Sequence, residues 1–151
     1  MRAAAITVPD GEYIVDDLCD IMRWCASGPE SFGLLFEPDG ELTAFIIARF
    51  PRDGADNLGR DIKIADAELS KVVHMESVAV LPEYRGQGLQ RKLVQRAESR
   101  AKKEGAVYSM CTVDPRNSIS LDNFKELSYQ VVAEKPKYGG HDRLILYKRL
   151  D

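Results

Sequence analysis

The feature that most constrains the fold is a strand, a turn, a helix and a second strand in succession, from Val72 to Val113. The apolar run Val72 to Val80 predicts a strand, and the stretch Leu89 to Glu104 predicts a helix whose apolar residues fall on one stripe. Ala106 to Val113 then predicts a buried strand. Two strands joined through a helix form a right-handed crossover, so we expect them to lie parallel in one sheet.

Hairpins are predicted on both sides of this crossover. The apolar runs Phe32 to Phe36 and Leu42 to Phe50 are separated by turn residues that include Pro38 and Gly40, which favours an antiparallel pair. Before the first hairpin, the sequence predicts a strand at Ala3 to Val8 and a helix at Gly11 to Ala26. After it comes a long loop at Pro51 to Ser70, with a helical turn near Ala65 to Ser70. Beyond the crossover, a short helix is predicted within Pro115 to Leu127, followed by strands at Tyr129 to Glu134 and Leu144 to Lys148 that are joined by a loop from Pro136 to His141. We therefore expect an α/β fold of mixed class, with a mostly antiparallel sheet flanked by helices, in a single domain over residues 1–151.

Composition narrows the possible functions. The 151 residues are typical of one domain, and a net charge of -3 argues against a general nucleic-acid binder. No apolar run approaches the roughly 20 residues of a membrane span. The three cysteines, Cys19, Cys25 and Cys111, form no CxxC pair, which favours reduced, buried thiols and a cytoplasmic location. With two histidines and no HExxH motif, no metal site is expected.

The turn between the predicted strand and helix is a candidate anion site. It reads Tyr84 to Leu89, and N–H groups of a turn and of a first helical turn lack internal partners and favour an anion, as does the helix dipole. Gly86 and Gly88 allow close approach of phosphate oxygens, and Arg85 and Arg91 add positive charge. The turn therefore predicts a pyrophosphate site, although the glycines equally fit a tight turn with no ligand. The Walker and dinucleotide-binding glycine patterns are both absent.

The segment Val78 to Gln90 resembles the cofactor signature of the GNAT acetyltransferases, in which a strand ends in V-x-P and the turn [RQ]-x-x-G-x-[GA] follows. Gln90 stands where a small residue is usual. The resemblance implies an N-acetyltransferase that uses acetyl-CoA as cosubstrate, with the pantetheine arm and the pyrophosphate bound by successive parts of this segment. It assigns the pantetheine to main-chain groups of Val78, Ala79 and Val80, and the pyrophosphate to Arg85, Gly86, Gln87, Gly88, Leu89, Gln90 and Arg91.

A second stretch, Asn117 to Tyr129, is similar to the family pattern N-x-x-A-x-x-x-Y-x-x-x-G-F. Asn117 takes the asparagine position, which the resemblance places near the pantetheine. Phe124 stands where many members carry a tyrosine that protonates the leaving thiolate, so the resemblance places Phe124 at the cofactor site, although the usual general acid is missing. Its helical spacing also fits a plain core residue. A thiol has a pKa of roughly 8.5, so a thiolate leaves tolerably without full protonation.

Two ionisable residues precede the signature on the same predicted strand. Strand alternation predicts that His74, Glu76 and Val78 share one face. An amine of pKa about 10 must lose a proton before it attacks a thioester. The resemblance places the base here: Glu76 is our first choice, acting directly or through water, with His74 as its partner or as the base itself. A salt-bridged surface role for Glu76 is the alternative. In place of the missing general acid, Tyr138 or His141, on the loop before the last strand, could help the thiolate to leave; a plain surface-loop role for Tyr138 is the alternative.

The expected partner is a small-molecule or peptide amine, with no nucleic acid and no membrane, for a monomer or a homodimer. The acidic residues of the long loop suit a cationic amine, although a solvated loop explains them equally well. These are Asp53, Asp56, Asp61 and Asp66. A non-catalytic acyl-CoA-binding or sensor domain on the same fold is the main alternative function. A nucleotide-binding module that does not use CoA is a third.

Overall fold

A computed structural model describes residues 30–137 and 139–151. Within them the chain forms a six-stranded sheet and two α-helices. The strands are β1 (Ser31–Phe36), β2 (Ala44–Arg49), β3 (Val72–Val80), β4 (Tyr108–Val113), β5 (Gln130–Lys137) and β6 (His141–Arg149), and the helices are α1 (Leu89–Lys103) and α2 (Ser118–Glu126). The strand predicted at Ala3 to Val8 and the helix predicted at Gly11 to Ala26, with Cys19 and Cys25, lie outside the described residues.

The strand order is β1-β2-β3-β4-β6-β5. Four of the five neighbouring pairs are antiparallel, and only β3 and β4 are parallel. They are the strands that α1 connects, as the crossover predicts. The mixed, mostly antiparallel sheet expected from the sequence is therefore confirmed.

The parallel pair is short. β3 and β4 are paired only from Val72 with Tyr108 to His74 with Met110, although both strands run on beyond this point. Along the rest of its length β3 is paired with β2, up to Val80. A gap thus opens in the middle of the sheet, on the side where both parallel strands end.

The two helices contribute to one core on the same face of the sheet. The helical stripe predicted for α1 is confirmed, because its apolar residues are buried there against β2, β3 and β4. The buried helical residues are Leu89, Leu93, Val94, Ala97, Ala101 and Phe124. Cys111 of β4 lies in the same core, and burial raises the pKa of its thiol. The thiol therefore stays protonated and unreactive, in line with the expectation of a buried, reduced cysteine.

One polar network crosses this core. The Tyr129 hydroxyl donates to Glu98 Oε2 at 2.8 Å and lies 2.6 Å from Ser109 Oγ. Lys148 Nζ donates to Glu98 Oε1 at 3.0 Å. Burial, and then the charge of Glu98, raise the pKa of Tyr129 well above its ordinary value, so the phenol remains a donor. The network joins α1, β4 and β6 and satisfies a carboxylate that would be costly to bury alone.

Tyr129→Phe is expected to lower the free energy of unfolding by about 1–3 kcal/mol, because Glu98 and Ser109 lose a buried partner. Urea unfolding followed by circular dichroism measures this. Tyr147→Phe is a suitable comparison, since that ring lies on a different cluster, and it should cost less. Equal stability of Tyr129→Phe and the unaltered chain would show that the network contributes little.

The long loop after β2 is more ordered than the sequence predicts. The turn expected near Ala65 to Ser70 is confirmed as the 3-10 helix Asp66–Lys71, and an unpredicted one spans Leu58–Ile62. The buried side chain of Asn57 donates to the carbonyls of Arg52 at 2.7 Å and Leu69 at 3.1 Å. It therefore closes the loop on itself.

The loop is also fastened to the far edge of the sheet. Asp61 lies 3.3 Å from Lys135 Nζ and 2.8 Å from Lys137 Nζ of β5. Asp56 pairs with Arg49, and Asp66 lies 4.0 Å from Arg60. Three of the four acidic side chains that suit a cationic amine are thus paired with cations of the protein. Of these three, Asp61 is largely covered, with a side chain 15% exposed, whereas the side chains of Asp56 and Asp66 are 59% and 96% exposed and stay accessible to a ligand.

The last hairpin is longer than predicted. Pro136 is in register with Asp142, and Lys137 with His141, so three of the six residues of the loop expected from Pro136 to His141 belong to β5 and β6. The cluster of proline and glycine reads as a loop, but β5 is the edge of the sheet, where a proline can be accommodated. The loop prediction is wrong for this reason. Tyr138 lies outside the described residues.

Candidate active site

The turn after β3 has the backbone that its glycines predict. Gly86 has a φ of +81° and Gly88 a φ of +75°, in the left-handed region, and Gly88 is the N-cap of α1. A Cβ at Gly86 would meet nothing within 4 Å, and one at Gly88 would meet only Arg91 Nη2, at 3.8 Å. Backbone conformation therefore requires glycine here, whereas crowding does not. The turn presents its main chain, and the first N–H groups of α1, to open space.

A cleft of about 550 Å³ lies where the end of β3, this turn and the first turns of α1 and α2 meet. Ten of the twelve residues predicted to bind cofactor line it: Val78, Ala79, Val80, Arg85, Gly86, Gly88, Leu89, Gln90, Arg91 and Asn117. Gln87 is exposed and is not among the lining residues. Four further residues line the cleft without having been predicted: Tyr84, Ile119, Ser120 and Asn123.

Polar side chains fix the two helix starts to each other. Gln90 Nε2 donates to Ser120 Oγ at 3.0 Å, and Asn123 Nδ2 donates to Gln90 Oε1 at 3.3 Å. Gln90, unusual at this position, thus ties α1 to α2. Asn117 Oδ1 accepts from the N–H of Ser120 at 3.1 Å, which makes it the N-cap of α2. These contacts hold the walls of the cleft in place.

Both predicted cations lie at the cleft. Arg85 Nε donates to the carbonyl of Val80 at 3.2 Å, so its side chain folds back over the end of β3. Arg91 forms an ion pair with Glu126 at the end of α2. The two guanidinium groups stand beside the left-handed turn, where the helix dipole also favours an anion.

Phe124 lies in the core and does not line the cleft. Its side chain is 3% exposed, and its ring packs edge-on against Tyr129, with ring centroids 5.0 Å apart. Its assignment to the cofactor site, made by resemblance, is therefore corrected to the core role that its helical spacing predicts. The cofactor pattern and the core pattern share this position, and only the structure separates them.

Phe124→Tyr is expected to lower the free energy of unfolding by about 1–3 kcal/mol, because the added hydroxyl enters an apolar core. Any turnover should change by less than about threefold, since the hydroxyl does not reach the cleft. Thermal unfolding and steady-state kinetics measure the two effects. Phe36→Tyr, on an exposed ring, is the matched control and should be neutral. A large gain in turnover for Phe124→Tyr would contradict the core placement.

A β-bulge interrupts β3 beside the cleft. On β2, the adjacent residues Ile47 and Ala48 lie opposite Ser77 and Met75, so Glu76 is the extra residue. A bulge shifts the alternation of side chains by one residue.

The predicted common face of His74, Glu76 and Val78 is wrong for Val78 for this reason. Met75 and Val78 both pack into the core beneath the helices, on one side of the sheet. His74 faces the other side, where its Nε2 accepts the N–H of Leu58 at 3.0 Å. The structure nevertheless brings His74 and Glu76 together: His74 Nδ1 lies 3.3 Å from Glu76 Oε1.

Glu76 has a second partner that the sequence does not reveal. Arg49 Nε donates to Glu76 Oε1 at 2.7 Å, and the same guanidinium forms an ion pair with Asp56. Burial raises the pKa of the Glu76 carboxyl, but the hydrogen bond with His74 and the charge of Arg49 outweigh it, so the pKa lies below its ordinary value. Glu76 is therefore ionised at neutral pH.

The contacts of His74 define its tautomer. A ring nitrogen that accepts a backbone N–H bears no hydrogen, so Nε2 is the bare nitrogen and Nδ1 carries the hydrogen toward Glu76. Both nitrogens are thus engaged by the protein, and the side chain is buried. This arrangement suits a residue that orients Glu76 better than one that takes a proton from a substrate. His141, by contrast, is exposed at the start of β6.

In the described part of the chain, no helix combines the length and apolar character needed to cross a membrane, and no group of three or more His, Cys, Asp or Glu residues is placed to hold a metal.

A comparison with known protein families identifies the family of this chain. The model of the acetyltransferase (GNAT) family matches residues 4–129. The chain belongs to this family. No curated protein gives a significant match to it.

Solved GNAT-like structures share the fold. A GCN5-related N-acetyltransferase from Kribbella flavida is 21% identical, with 93% of this chain and 83% of that chain covered and a TM-score of 0.70. Arabidopsis thaliana NAA60 in complex with acetyl-CoA is 15% identical, with 89% and 85% covered and a TM-score of 0.71. The putative acetyltransferase yncA from Salmonella typhimurium, with its cofactor acetyl-CoA, is 23% identical, with 90% and 75% covered and a TM-score of 0.67. At these identities the likeness shows the fold.

Proposed function

We propose that this GNAT protein transfers an acetyl group from acetyl-CoA to an amine by direct attack, with Glu76 as the general base. The observation that carries the proposal is the gap between β3 and β4, which meets the glycine turn of the cleft at one end. An ionised carboxylate stands two residues before Val78, the first cleft residue on β3. The turn would hold the phosphates of a thioester cofactor, and the open edge of β3 would hold its extended arm. Glu76, on the same strand, would then lie near the point where the thioester meets the amine.

The cleft suits CoA in two ways. An extended ligand with amide groups can pair with the edge of β3 at Val78 to Val80, as peptides pair with open sheet edges. The pyrophosphate then reaches the N–H groups that follow Gly86 and Gly88, with Arg85 and Arg91 beside it. The Salmonella and Arabidopsis structures were solved with acetyl-CoA, which supports the same cosubstrate here.

The proposed reaction needs one base and no covalent enzyme intermediate. The acceptor ammonium gives a proton to Glu76, directly or through one water, and the neutral nitrogen attacks the thioester carbon. A C–N bond forms and the C–S bond breaks, so CoA leaves as a thiolate, and the nitrogen, which is positively charged after the attack, loses its second proton to solvent to give the amide. Glu76 then returns the proton to the thiolate or to solvent. Phe124 has no proton to give, and a thiol pKa of roughly 8.5 makes the thiolate an adequate leaving group.

A screen for thiol release tests this proposal. The purified chain is incubated with acetyl-CoA and, in turn, small amines, polyamines, amino acids, antibiotics and peptides with free N-termini, and free CoA thiol is measured. Release that depends on an amine, together with an acetylated product of the expected mass, supports the transferase. Tight CoA binding with no release for any amine would favour the non-catalytic acyl-CoA-binding domain. ATP that competes with CoA for the cleft would favour a nucleotide-binding module.

A further inference from the structure

Arg49 ends β2 and lies between two carboxylates. Its Nε and Nη2 are 2.7 and 2.5 Å from Glu76 Oε1, and it forms an ion pair with Asp56 of the long loop. The Arg49 side chain is 20% exposed and that of Glu76 is 9% exposed. A planar guanidinium that bridges two carboxylates is held more rigidly than one in a single surface pair.

The two carboxylate oxygens of Glu76 differ in their hydrogen bonds. Among the described residues, the hydrogen bonds of this carboxylate all fall on Oε1, from Arg49 and from His74. Oε2 accepts no hydrogen bond from them. A carboxylate anchored through one oxygen keeps the lone pairs of the other in a fixed direction, which is what proton transfer to a positioned base requires.

Asp56 balances the charge of the cluster. With Arg49 and two ionised carboxylates the group carries one net negative charge, and protonation of Glu76 brings it to zero. At that moment Arg49 still has Asp56 as its counter-ion, so the half-buried guanidinium does not lose its only carboxylate partner in the described structure. The pair of Arg49 and Asp56 thus makes the protonated form of Glu76 less costly than it would be for an isolated ion pair.

We infer that Arg49 is a positioning residue for Glu76: it fixes Oε1 so that Oε2 faces the acceptor amine or its water, and Asp56 holds Arg49 in place. This inference rests on the proposed role of Glu76 as the general base. The proton moves from the acceptor nitrogen to Oε2, and Arg49 transfers none. His74 supports the same oxygen from β3, since its Nδ1 also faces Oε1.

Substitutions of Arg49 and Asp56 should act in opposite directions on the pH profile. The charged or titratable groups around Glu76 in the described residues are Arg49 from β2, His74 from β3 and, through Arg49, Asp56 from the loop. Arg49→Met removes a positive charge that lowers the pKa of Glu76, while burial still raises it. The pKa of Glu76 therefore rises, and the acid limb of kcat/KM moves to higher pH. In Asp56→Asn the carboxylate that competes with Glu76 for Arg49 is gone, so the pKa of Glu76 falls further and the limb moves to lower pH.

The experiment compares Arg49→Met, Arg49→Lys and Asp56→Asn with the unaltered chain. For Arg49→Met we expect kcat to fall on the order of 10- to 100-fold at neutral pH, with acetyl-CoA affinity by calorimetry unchanged. Arg49→Lys keeps the charge but not the planar fork, so it should restore the pH profile more fully than kcat. Carboxyl carbon NMR, with Glu76→Gln to assign the signal, follows the titration of Glu76 without turnover.

Two results would overturn the inference. The first is a Glu76 titration that is the same in folded Arg49→Met as in the unaltered chain. The second is a loss of kcat on Arg49→Met that is as large in a Glu76→Gln background as in the unaltered chain, since a residue that acts through Glu76 should add nothing there. If the unaltered chain acetylates no amine, the proposed function fails, and the titration alone decides whether Arg49 controls Glu76.

Discussion

Glu76→Gln is expected to lower kcat/KM by about 10²–10⁴-fold near neutral pH, the usual cost of losing a general base. The amide keeps the size of the side chain and can still accept a hydrogen bond from Arg49. It cannot take a proton from the acceptor ammonium. Acetyl-CoA affinity should change little, because Glu76 does not line the cleft that holds the proposed cofactor site. Steady-state kinetics with an accepted amine, and calorimetry with CoA, measure the two quantities.

The pH profile gives a second readout of the same substitution. Because the pKa of Glu76 lies below its ordinary value, the carboxylate is ionised at neutral pH, and its contribution is lost only as pH falls through that lowered pKa. The acid limb assigned to Glu76 should therefore disappear in Glu76→Gln. Glu134→Gln, on the exposed edge strand β5, is the matched control and should keep full activity.

His74→Gln completes this test, since we propose an orienting role for His74. It should cost less than Glu76→Gln. Nearly full activity of Glu76→Gln together with a large loss in His74→Gln would exchange the two roles. Full activity of both would mean that the amine arrives already deprotonated and that neither residue is catalytic.

Gly88→Glu is expected to weaken CoA binding by more than about 100-fold, through backbone strain and charge repulsion together. Gly88 holds a φ of +75° at the N-cap of α1, where a side chain is strained. The added carboxylate would also stand beside Arg91 and compete with the pyrophosphate for it. Calorimetry with CoA measures the affinity, and circular dichroism reports whether the variant is folded.

Two control variants separate strain from charge. Gly88→Ala adds the strain without the charge, so it should lose part of the affinity. Gly105→Glu adds a carboxylate at another left-handed glycine, with a φ of +100°, beyond the other end of α1, and should leave CoA binding intact. Full affinity of a folded Gly88→Glu variant would remove the pyrophosphate from this turn.

The parts of the fold that follow from local pattern are predictable from the sequence. The stripe of α1 and the glycines of the turn are local signals, and the structure has both where they are expected. The bulge at Glu76 has no such signal, because one extra residue in a strand leaves apolar runs unchanged while it reverses every side chain beyond it.

The partners of the candidate base are also invisible in the sequence. Arg49 and Glu76 are 27 residues apart, on neighbouring strands, and only the register of β2 against β3 brings them together. Phe124 shows the opposite difficulty, since one position satisfies both a family pattern and a core pattern. In each case the missing information is the three-dimensional pairing of segments, which periodicity does not contain.

The short parallel ladder divides the sheet into two halves. Strands β1, β2 and β3 form one antiparallel unit and β4, β6 and β5 form the other, and the ladder between them runs only from Val72 to His74 on β3. Regions joined by few hydrogen bonds open locally at lower cost than those inside a continuous sheet. A ligand in the gap therefore contacts both halves of the sheet, and its binding free energy makes the local opening of each half more costly. Slowed hydrogen exchange on both sides of the gap is the sign of such coupling, and it needs no turnover to be seen.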